Sequence, residues 1–198
     1  MTVAPNKLFD DGRIREIYKS FKPKLIQDNN TLKPSSVLIP LTNQHLKREI
    51  ILTIRTTTVK DHKGEISFPG GRKDSTDASF EMTAVRETHE EIGVNPTDIE
   101  IIGQLDDTKT RSGYLIRPYV GFIPANYDFH HNTSEVNEIL AVPLLHLLSI
   151  QHTTHEWREY DNAYEQTPVY HYGKHAIWGA TARVMRQFLH VIKNDPSE

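Results

Sequence analysis

Apolar and polar residues alternate over several short stretches in the first half of this 198-residue chain. Three stretches are rich in β-branched residues and bounded by turn residues, a pattern that predicts strands. They are SSVLIPLT, REIILTIRT and EISFPGG. The spacing then changes, and it predicts a helix from about Ala78 to Ile92 that Gly93 closes as a C-cap. Ahead of the strands, the helical spacing of apolar residues in GRIREIYKSFKPK predicts a further helix.

The second half of the chain predicts more strands and a closing helix. β-branched and aromatic residues indicate a strand pair, then a strand that leads into a short helix, and then a last short strand. In chain order they are DIEIIGQLDD with YLIRPYVGFIP, NEILAVP with LLHLLS, and TPVYHY. Residues 151–166 are polar and predicted to be irregular, whereas IWGATARVMRQFLHVI has one apolar helical face. Together these elements predict a single mixed α/β domain.

Composition limits the kinds of partner that the chain is expected to bind. The formal net charge is −3, so bulk electrostatics favours neither nucleic acid nor a membrane surface. The longest apolar run, ILAVPLLHLLSI, is too short for a membrane span, and the N-terminal residues lack the apolar core of a signal peptide. We therefore expect a cytoplasmic protein. The absence of cysteine excludes thiol nucleophiles, thiolate metal sites and disulfides.

Three glutamates crowd one side of the predicted acidic helix. Glu87 and Glu91 are four residues apart with Glu90 beside them, a spacing at which like charges repel by roughly 0.2–0.5 kcal/mol per pair. A hard cation such as Mg²⁺ or Mn²⁺ would replace this repulsion by coordination, because these ions prefer carboxylate oxygens. Arg86 is placed to hold one glutamate, and the preceding glycine pair lets backbone atoms approach a ligand closely. Helix spacing alone leaves a solvated acidic face as the alternative.

The segment RETHEEIGV, which follows FPGG, resembles the Nudix box. The early acidic position of the box is Asp77 rather than glutamate, one additional residue separates Asp77 from Arg86, and Thr88 stands in the apolar position. The resemblance implies a Nudix α/β/α sandwich, in which a mixed β-sheet lies between helices. It implies a Nudix hydrolase domain over residues 34–194, preceded by an N-terminal helical extension over residues 1–33.

The upstream segment LTIRTTTVKDHKGEISFPGG looks like the additional signature of coenzyme A diphosphatase-type Nudix proteins. This resemblance implies metal-dependent cleavage of coenzyme A or its thioesters to 4′-phosphopantetheine, or its acyl form, and adenosine 3′,5′-bisphosphate. The cofactor that it implies is Mg²⁺ or Mn²⁺. The implied metal ligands are Glu87, Glu90, Glu91 and the carbonyl of Gly70. The implied catalytic residues are the same three glutamates together with Arg86.

A general base and cationic substrate contacts are further expectations. In this superfamily the base is a box glutamate or an acid from a later loop, and Glu135 stands where related proteins often carry that loop acid. The 3′-phosphate of coenzyme A needs cationic partners, which arginine supplies as a fork and lysine as a point charge. The predicted substrate-binding residues are Arg55, Lys60, Gly71, Arg72 and Arg111. Trp178 is expected to pack in the core ahead of the closing helix.

Two other functions remain open from the sequence. One is Nudix hydrolysis of another nucleoside diphosphate derivative, such as ADP-ribose, NADH or an oxidised nucleotide, because fold and box do not determine the substrate. The other is a non-catalytic Nudix domain that binds a nucleotide and regulates a partner. In each case the expected ligand is a small nucleotide-type molecule. The oligomeric state is open, with a homodimer as one possibility.

Overall fold

The computed structural model describes residues 10–27, 31–44, 47–56, 64–160 and 163–194, in which helices and strands form a mixed α/β fold. The strands are β1 Lys33–Thr42, β2 Glu49–Arg55, β3 Ile66–Ser67, β4 Gly70–Arg72, β5 Glu100–Gln104, β6 Thr108–Lys109, β7 Tyr114–Ile123, β8 Val136–Pro143, β9 Thr153–Tyr160, β10 Ala163–Tyr172 and β11 His175–Ile177. The helices are α1 Asp11–Ser20, α2 Phe80–Ile92, α3 Leu144–Leu148 and α4 Gly179–Lys193. Within these ranges, no helix is both long and apolar enough to cross a membrane.

The main sheet joins segments from both halves of the chain. Its central strands lie in the order β3-β2-β1-β7-β5, with β4 beside β1, β6 beside β7 and β8 beside β2. β1 and β7 are parallel, from Lys33 opposite Tyr114 to Thr42 opposite Ile123. The other pairs are antiparallel, so the sheet is mixed. The parallel pair brings the start of β1 beside the start of β7, although these residues are far apart in sequence.

Helices cover both faces of the main sheet, which confirms the predicted α/β/α sandwich. Successive residues of β1 point to opposite faces. Ile39 and Leu41 share a core with α1 and α4, whereas Leu38 packs with Ala84 of α2. Phe188 of α4 is among the largest fully buried side chains. The acidic helix α2 and the closing helix α4 therefore lie on opposite sides of the same sheet.

Helix α2 lies close to its predicted position because its caps are encoded locally. The N-cap is Ser79, whose hydroxyl accepts from the backbone N–H of Met82 at 3.1 Å. Gly93 ends the helix with a φ of 75°, a left-handed conformation that favours glycine. Thr88 in the apolar position is fully buried, and its hydroxyl donates to the carbonyl of Ala84 at 2.7 Å. A polar side chain is therefore accommodated there with its hydrogen bond made.

The structure corrects the prediction for residues 151–166, which are not irregular. β9 and β10 pair antiparallel and form a three-stranded sheet with β11. At the far part of this hairpin, the side chains of Trp157 and Tyr164 are 67% and 70% exposed. The predicted short strand TPVYHY is the second half of the longer β10, where residues 167–170 are buried. The first half was missed because no buried apolar face marks it in the sequence.

Helix α1 packs onto the same side of the sheet as α4. Its residues Ile14, Ile17 and Tyr18 are buried in the main hydrophobic core. Arg48, just before β2, has a fully buried guanidinium-bearing side chain that pairs with Asp11 of α1. Apolar burial and one ion pair therefore hold this N-terminal helix against the sheet.

Candidate active site

Two glutamates of α2 lie against strand β4 because that strand begins with a glycine pair. A Cβ atom at Gly71 would lie 2.5 Å from the carboxylate carbon of Glu87. A Cβ atom at Gly70 would lie 2.4 Å from the carbonyl oxygen of Ser36 on β1. The backbone N–H of Gly70 donates to Oε2 of Glu91 at 3.3 Å. Gly71 thus makes room for the Glu87 carboxylate, whereas Gly70 lets β4 lie close to β1 and holds Glu91 through its backbone N–H.

Arg86 is the centre of an ion-pair network on the same helix. Its Nε and Nη2 atoms donate to Asp77 at 3.0 and 2.9 Å. Its Nη1 lies 2.9 Å from Oε1 of Glu87 and 2.8 Å from Oε2 of Glu90. Asp77 is buried, also accepts from the hydroxyl of Thr83 at 2.9 Å, and has a pKa held well below its usual range by the Arg86 guanidinium. Asp77 therefore anchors Arg86, and Arg86 orients two box glutamates.

Burial disfavours the negative charges of Glu91 and Glu87. Glu91 is only 3% exposed, and burial raises its pKa to about 8, although the hydrogen bond from Gly70 acts in the opposite direction. The charges of Glu87 and Glu135 raise the pKa of Glu91 further. Burial also raises the pKa of Glu87, against the opposing effect of Arg86. The site therefore holds carboxylates that a bound cation would stabilise in their charged form.

The end of β2 and the start of β8 bring Arg55 and Glu135 to the same place. The backbone N–H of Thr56 donates to the carbonyl of Glu135 at 3.0 Å, and the strand register shifts between Ile54 and Arg55. The positive charge of Arg55 is one of the influences that lower the pKa of Glu91. Its buried Nε has no hydrogen-bond partner among the described residues.

A cavity of about 960 Å³ lies between the main sheet and the first turns of α4. The side chains of its floor come from β1 and β7 and are Lys33, Ser35, Val37, Tyr114 and Ile116. Alternate residues of a strand share one face, so this floor is the side of the sheet that α4 covers. Trp178 and the first residues of α4 line the cavity from that side. Glu87, Glu91, Glu135 and Arg55 line the end beside the glycine pair.

Basic side chains also line the cavity. They are Lys33, Arg72, Arg111 and Arg183. Arg72 lies opposite Ser35, and Lys33 lies opposite Tyr114, which follows the turn that contains Arg111. Nη2 of Arg183 donates to the carbonyl of Lys109 in β6, so α4 is joined to the sheet there. Acidic and basic side chains therefore line the same cavity, and Arg72 lies only two residues from Gly70.

The structure brings together most of the residues that the sequence predicts for the site. Eight of them line the cavity: Arg55, Gly70, Gly71, Arg72, Glu87, Glu91, Arg111 and Glu135. Arg86 and Glu90 lie beside the cavity and contact each other, with half of the Glu90 side chain exposed. Lys60 lies outside the described residues.

Trp178 does not pack in the core, contrary to the expectation from the sequence. Its side chain is 39% exposed and lines the cavity, because it precedes the first turn of α4 rather than lying on the buried face of that helix. Sequence reasoning also missed Lys33, Tyr114 and Arg183. No local motif connects these three residues, and the only neighbouring signal was Arg111 in the turn before Tyr114.

The donor set fits a hard divalent cation. Among the described residues, no three histidine or carboxylate side chains already surround one point, because Glu90 is held by Arg86. However, Glu87, which pairs with Arg86, and Glu91 present two largely buried carboxylates beside the backbone of the glycine pair. Oxygen ligands of this kind suit Mg²⁺ or Mn²⁺ better than softer metals.

Comparison with known proteins identifies the family. The Nudix domain family matches residues 32–172. The chain is 35% identical over 167 residues to an uncharacterized Nudix hydrolase, NudL, of Photorhabdus laumondii, an alignment that covers 83% of this chain and 87% of that protein. The chain belongs to the Nudix family. A further uncharacterized Nudix hydrolase NudL, from Enterobacter sp. strain 638, is 34% identical over 178 residues, covering 86% of this chain and 88% of that protein.

The Nudix fold is also found in a solved relative. A MutT/nudix family protein from Enterococcus faecalis superposes with a TM-score of 0.57 at 14% identity, covering 92% of this chain and 74% of that chain. As a Nudix hydrolase, the protein is an enzyme that acts on phosphoric anhydride bonds, and the substrates of this family are small nucleotide derivatives. Nudix hydrolases generally use divalent metal ions. The predicted family and enzyme class are therefore confirmed.

Proposed function

We propose that this Nudix hydrolase cleaves the diphosphate bond of coenzyme A or of its thioesters, with Mg²⁺ or Mn²⁺ as cofactor. The products would be 4′-phosphopantetheine, or its acyl form, and adenosine 3′,5′-bisphosphate. The observation that supports this best is that acidic and basic side chains line the same cavity. A substrate that carries both a metal-binding diphosphate and a separate phosphate monoester matches that combination, as does the upstream signature around Arg55.

The metal ligands that we propose are Glu87 and Glu91, with Glu90 and the carbonyl of Gly70 in addition. When bound, the ion neutralises the non-bridging phosphate oxygens and lowers the pKa of the attacking water. Arg86 is a positioning residue, because it contacts Glu87 and Glu90 and not the cavity itself. Positioning and charge stabilisation dominate phosphoryl chemistry, so the Arg86 network contributes by holding the glutamates in place.

We propose Glu135 as the general base. Its side chain is exposed and lines the cavity together with Glu87 and Glu91. Two backbone hydrogen bonds fix its position, one to Thr56 and one from the N–H of Glu135 to the carbonyl of Asn132, both of 3.0 Å. A base must lie within hydrogen-bond reach of the attacking water. Glu135→Gln should lower kcat and leave the affinity for Mn²⁺ unchanged, whereas a metal ligand would change both.

The substrate contacts that we propose are basic side chains around the same cavity. Arg55, Arg72 and Arg111 line the cavity together with the carboxylates, and Arg55 is the proposed contact of the diphosphate. The backbone of Gly71 permits close approach of the substrate at β4. Lys60 belongs to this set on sequence grounds alone. The substrate is a small nucleotide-type molecule, and a homodimer stays a prediction.

Product analysis tests this proposal directly. The pure protein is incubated with Mg²⁺ or Mn²⁺ and separately with coenzyme A, acetyl-coenzyme A, ADP-ribose, NADH and a nucleoside triphosphate. We expect adenosine 3′,5′-bisphosphate from the two coenzyme A compounds, and none after the metal has been removed with a chelator. Cleavage of ADP-ribose or NADH instead would keep the Nudix reaction and reject coenzyme A as substrate.

A matched pair of variants on α2 serves as a control for the same assay. Glu87→Gln removes a carboxylate that lines the cavity, and Glu81→Gln removes an exposed one in the first turn of the same helix. We expect the first variant to lose nearly all product formation and the second to retain it. Equal activity of the two variants would remove Glu87 from the proposed metal site.

A further inference from the structure

Strand β9 forms one edge of the three-stranded sheet and has an open outer side. The strand order is β11-β10-β9, and within the described part of the chain no strand other than β10 pairs with β9. The register between them runs without a bulge from Thr153 opposite Tyr170 to Tyr160 opposite Ala163. β9 contains neither proline nor glycine. A regular edge of this kind lacks most of the devices that prevent a second strand from pairing with it.

The backbone groups that face this open edge belong to alternate residues of β9. The carbonyl of Glu156 accepts from the hydroxyl of Thr167 in β10 at 3.2 Å, so Glu156 faces β10. Pro168, which has no N–H to donate to a ladder, lies opposite His155. Inward and outward backbone directions alternate along a strand of an antiparallel ladder. The residues whose N–H and C=O groups point to the open edge are therefore His155, Trp157 and Glu159.

A second copy of the chain can pair with this edge about a two-fold axis, since an antiparallel strand pair is self-complementary in geometry. Edge-facing residues must meet edge-facing residues, so the axis passes through one residue of β9, which then lies opposite its own copy. An axis at Glu156, Arg158 or Glu159 would place like charges directly opposite each other, which is destabilising. An axis at His155 would pair Glu156 with Thr154 of the partner subunit and gain no opposite charge.

An axis at Trp157 places unlike charges opposite each other on both sides. Glu156 then lies opposite Arg158 of the partner subunit, and by symmetry Arg158 lies opposite Glu156 of the partner subunit. The next residues outward pair His155 with Glu159 of the partner subunit. The sequence HEWRE, residues 155–159, is thus complementary to itself in charge. Charged residues on an edge strand usually repel other strands, whereas this order of charges favours one register.

The exposed aromatic side chains of the hairpin lie where this pairing would cover them. Trp157 is 67% exposed, and Tyr164 is 70% exposed. Tyr164 lies opposite Glu159, two residues from Trp157, so both rings lie on one face of the hairpin. With the axis at Trp157, the two indoles are direct cross-strand neighbours on that face. Cross-strand aromatic pairs are favourable, and tryptophan is enriched at contacts between proteins.

We propose that β9 is the surface through which two copies of this chain form a symmetric dimer. The two β9 strands pair antiparallel with Trp157 at the two-fold axis, and the three-stranded sheets of the two copies join into one continuous sheet. The open edge, the order of charges and the exposed indole all lead to this arrangement. No residue of β9 lines the main cavity, so the inference does not depend on the proposed function.

Sedimentation velocity of the full chain at increasing concentration tests the dimer. We expect a reversible monomer–dimer equilibrium with a Kd of about 1–100 μM, because one strand pair is a small interface. Glu156→Arg and Arg158→Glu each place like charges opposite each other at two positions, and each should raise Kd about tenfold or more. Lys19→Glu, a charge reversal at an exposed position of α1, is the control and should leave Kd unchanged. A parent chain that stays monomeric throughout overturns the proposal.

Mixing the two charge reversals tests the register itself. In a heterodimer of Glu156→Arg with Arg158→Glu, unlike charges again lie opposite each other at both positions. We expect the mixture to dimerise about as tightly as the parent, although each variant alone is mostly monomeric, and the double variant should also regain the parent Kd. A mixture that stays monomeric would reject the axis at Trp157.

The same mixture controls for damage to the hairpin. Residue 158 also lies opposite Glu165 within the hairpin, so Arg158→Glu places like charges opposite each other inside one subunit as well. Recovery of the dimer in the mixture requires an intact β9 in both variants. It therefore shows that the single reversals act across the interface and not by unfolding the strand.

Tryptophan emission gives a second readout at the axis. The chain has two tryptophans, and Trp178→Phe leaves Trp157 as the only indole. We expect its emission to shift to shorter wavelength as the concentration rises through the Kd from sedimentation, because the exposed ring becomes buried. A dimer that forms without this shift, or whose Kd neither charge reversal changes, has its contact elsewhere and overturns the proposal.

Discussion

Gly70 and Gly71 are neighbours in sequence, but a side chain at each position would meet a different kind of atom. At Gly71 the three atoms nearest to an added Cβ belong to the carboxylate of Glu87, which ends a flexible side chain. At Gly70 it would meet the backbone of β1 at Ser36 and Val37, which cannot move without disturbing the sheet. Gly70 is therefore required for the packing of β4 against β1, and Gly71 for the position of the Glu87 carboxylate.

Alanine substitutions should separate these two requirements. Gly71→Ala should leave the thermal unfolding midpoint close to that of the parent, because the Glu87 side chain can turn away. The displaced carboxylate should reduce kcat/KM by about 100-fold, as expected for a misplacement of about 1 Å. Gly70→Ala should instead lower the free energy of unfolding by about 1–3 kcal/mol or more through overpacking. Full activity of Gly71→Ala would show that Glu87 does not need its observed position.

The Glu91 carboxylate gives a prediction that links stability to metal binding. Glu91→Gln keeps the shape of the side chain and removes a carboxyl group that must take up a proton on folding at neutral pH, because burial raises its pKa to about 8. The metal-free variant should therefore melt at a higher temperature than the metal-free parent. Turnover should fall by orders of magnitude. Mn²⁺ should raise the melting temperature of the parent but not of the variant, because a ligand that binds only the folded state stabilises it. Near-normal turnover of Glu91→Gln would exclude this glutamate from the metal site.

At the scale of elements, α1 is joined to the sheet by a buried cation. The guanidinium of Arg48 donates to the carbonyl of Thr42 at 2.6 Å, stacks on the ring of Phe122 at 4.7 Å and pairs with Asp11 of α1. Burial lowers the pKa of Arg48, and the Asp11 charge opposes this effect. Asp11 therefore stabilises both the helix position and the buried positive charge.

Removal of this partner should destabilise the fold measurably. We expect Asp11→Asn to lower the free energy of unfolding by about 2–3 kcal/mol, below the ~3–5 kcal/mol of a fully buried pair because about a third of the Asp11 side chain is exposed. Urea unfolding curves measure the change. Glu100→Gln is the control, because its pair with Arg15 is about half exposed on both sides and should contribute less than about 1 kcal/mol. Equal effects of the two substitutions would contradict this role of Arg48.

Elements whose signals are local could be predicted from the sequence. Helix α2 has Ser79 and Gly93 as caps and one buried stripe, so its limits follow from neighbouring residues. The β9–β10 hairpin has no such signal, because side chains such as Trp157 and Tyr164 are exposed and hide the alternation that marks a half-buried strand. Pairing with β11, which depends on the tertiary structure, completes that sheet.

The same distinction applies to the site. Glu87, Glu90 and Glu91 occupy one helix turn, so their proximity could be predicted, and the glycine pair follows from its place before that helix. The presence of Lys33 and Tyr114 in the same cavity could not be predicted in this way. Lys33 and Tyr114 become neighbours only through the parallel pairing of β1 with β7, and no periodicity in either segment specifies that pairing.

At the scale of the whole molecule, the hydrophobic core extends beyond the residues that match the Nudix domain. The match covers residues 32–172, whereas α1 and α4 lie outside it. Both helices nevertheless contribute to one buried cluster, with Ile14 and Ile17 from α1 and Phe188 from α4. The division at residue 33 between an extension and a domain is therefore a prediction that truncation can test.

We expect a chain without residues 1–27 to fail to fold cooperatively. Deletion of residues 1–27 removes the buried side chains of Ile14, Ile17 and Tyr18, whose burial stabilises the fold by about 1.5–3 kcal/mol each. It also leaves Arg48 without its partner Asp11. The sum is comparable to the ~5–15 kcal/mol stability of a typical domain. Circular dichroism melting should show a broad transition, and size-exclusion chromatography should show aggregation.

Point variants make the truncation experiment interpretable. Ile17→Ala on the buried face of α1 should lower the free energy of unfolding by about 2–5 kcal/mol, and Lys19→Ala on the exposed face should change it by less than about 0.5 kcal/mol. If the truncated chain instead melts cooperatively near the parent temperature and still hydrolyses its substrate, α1 is a separable extension. The catalytic domain would then begin close to β1, and the core contacts of α1 would contribute little to its folding.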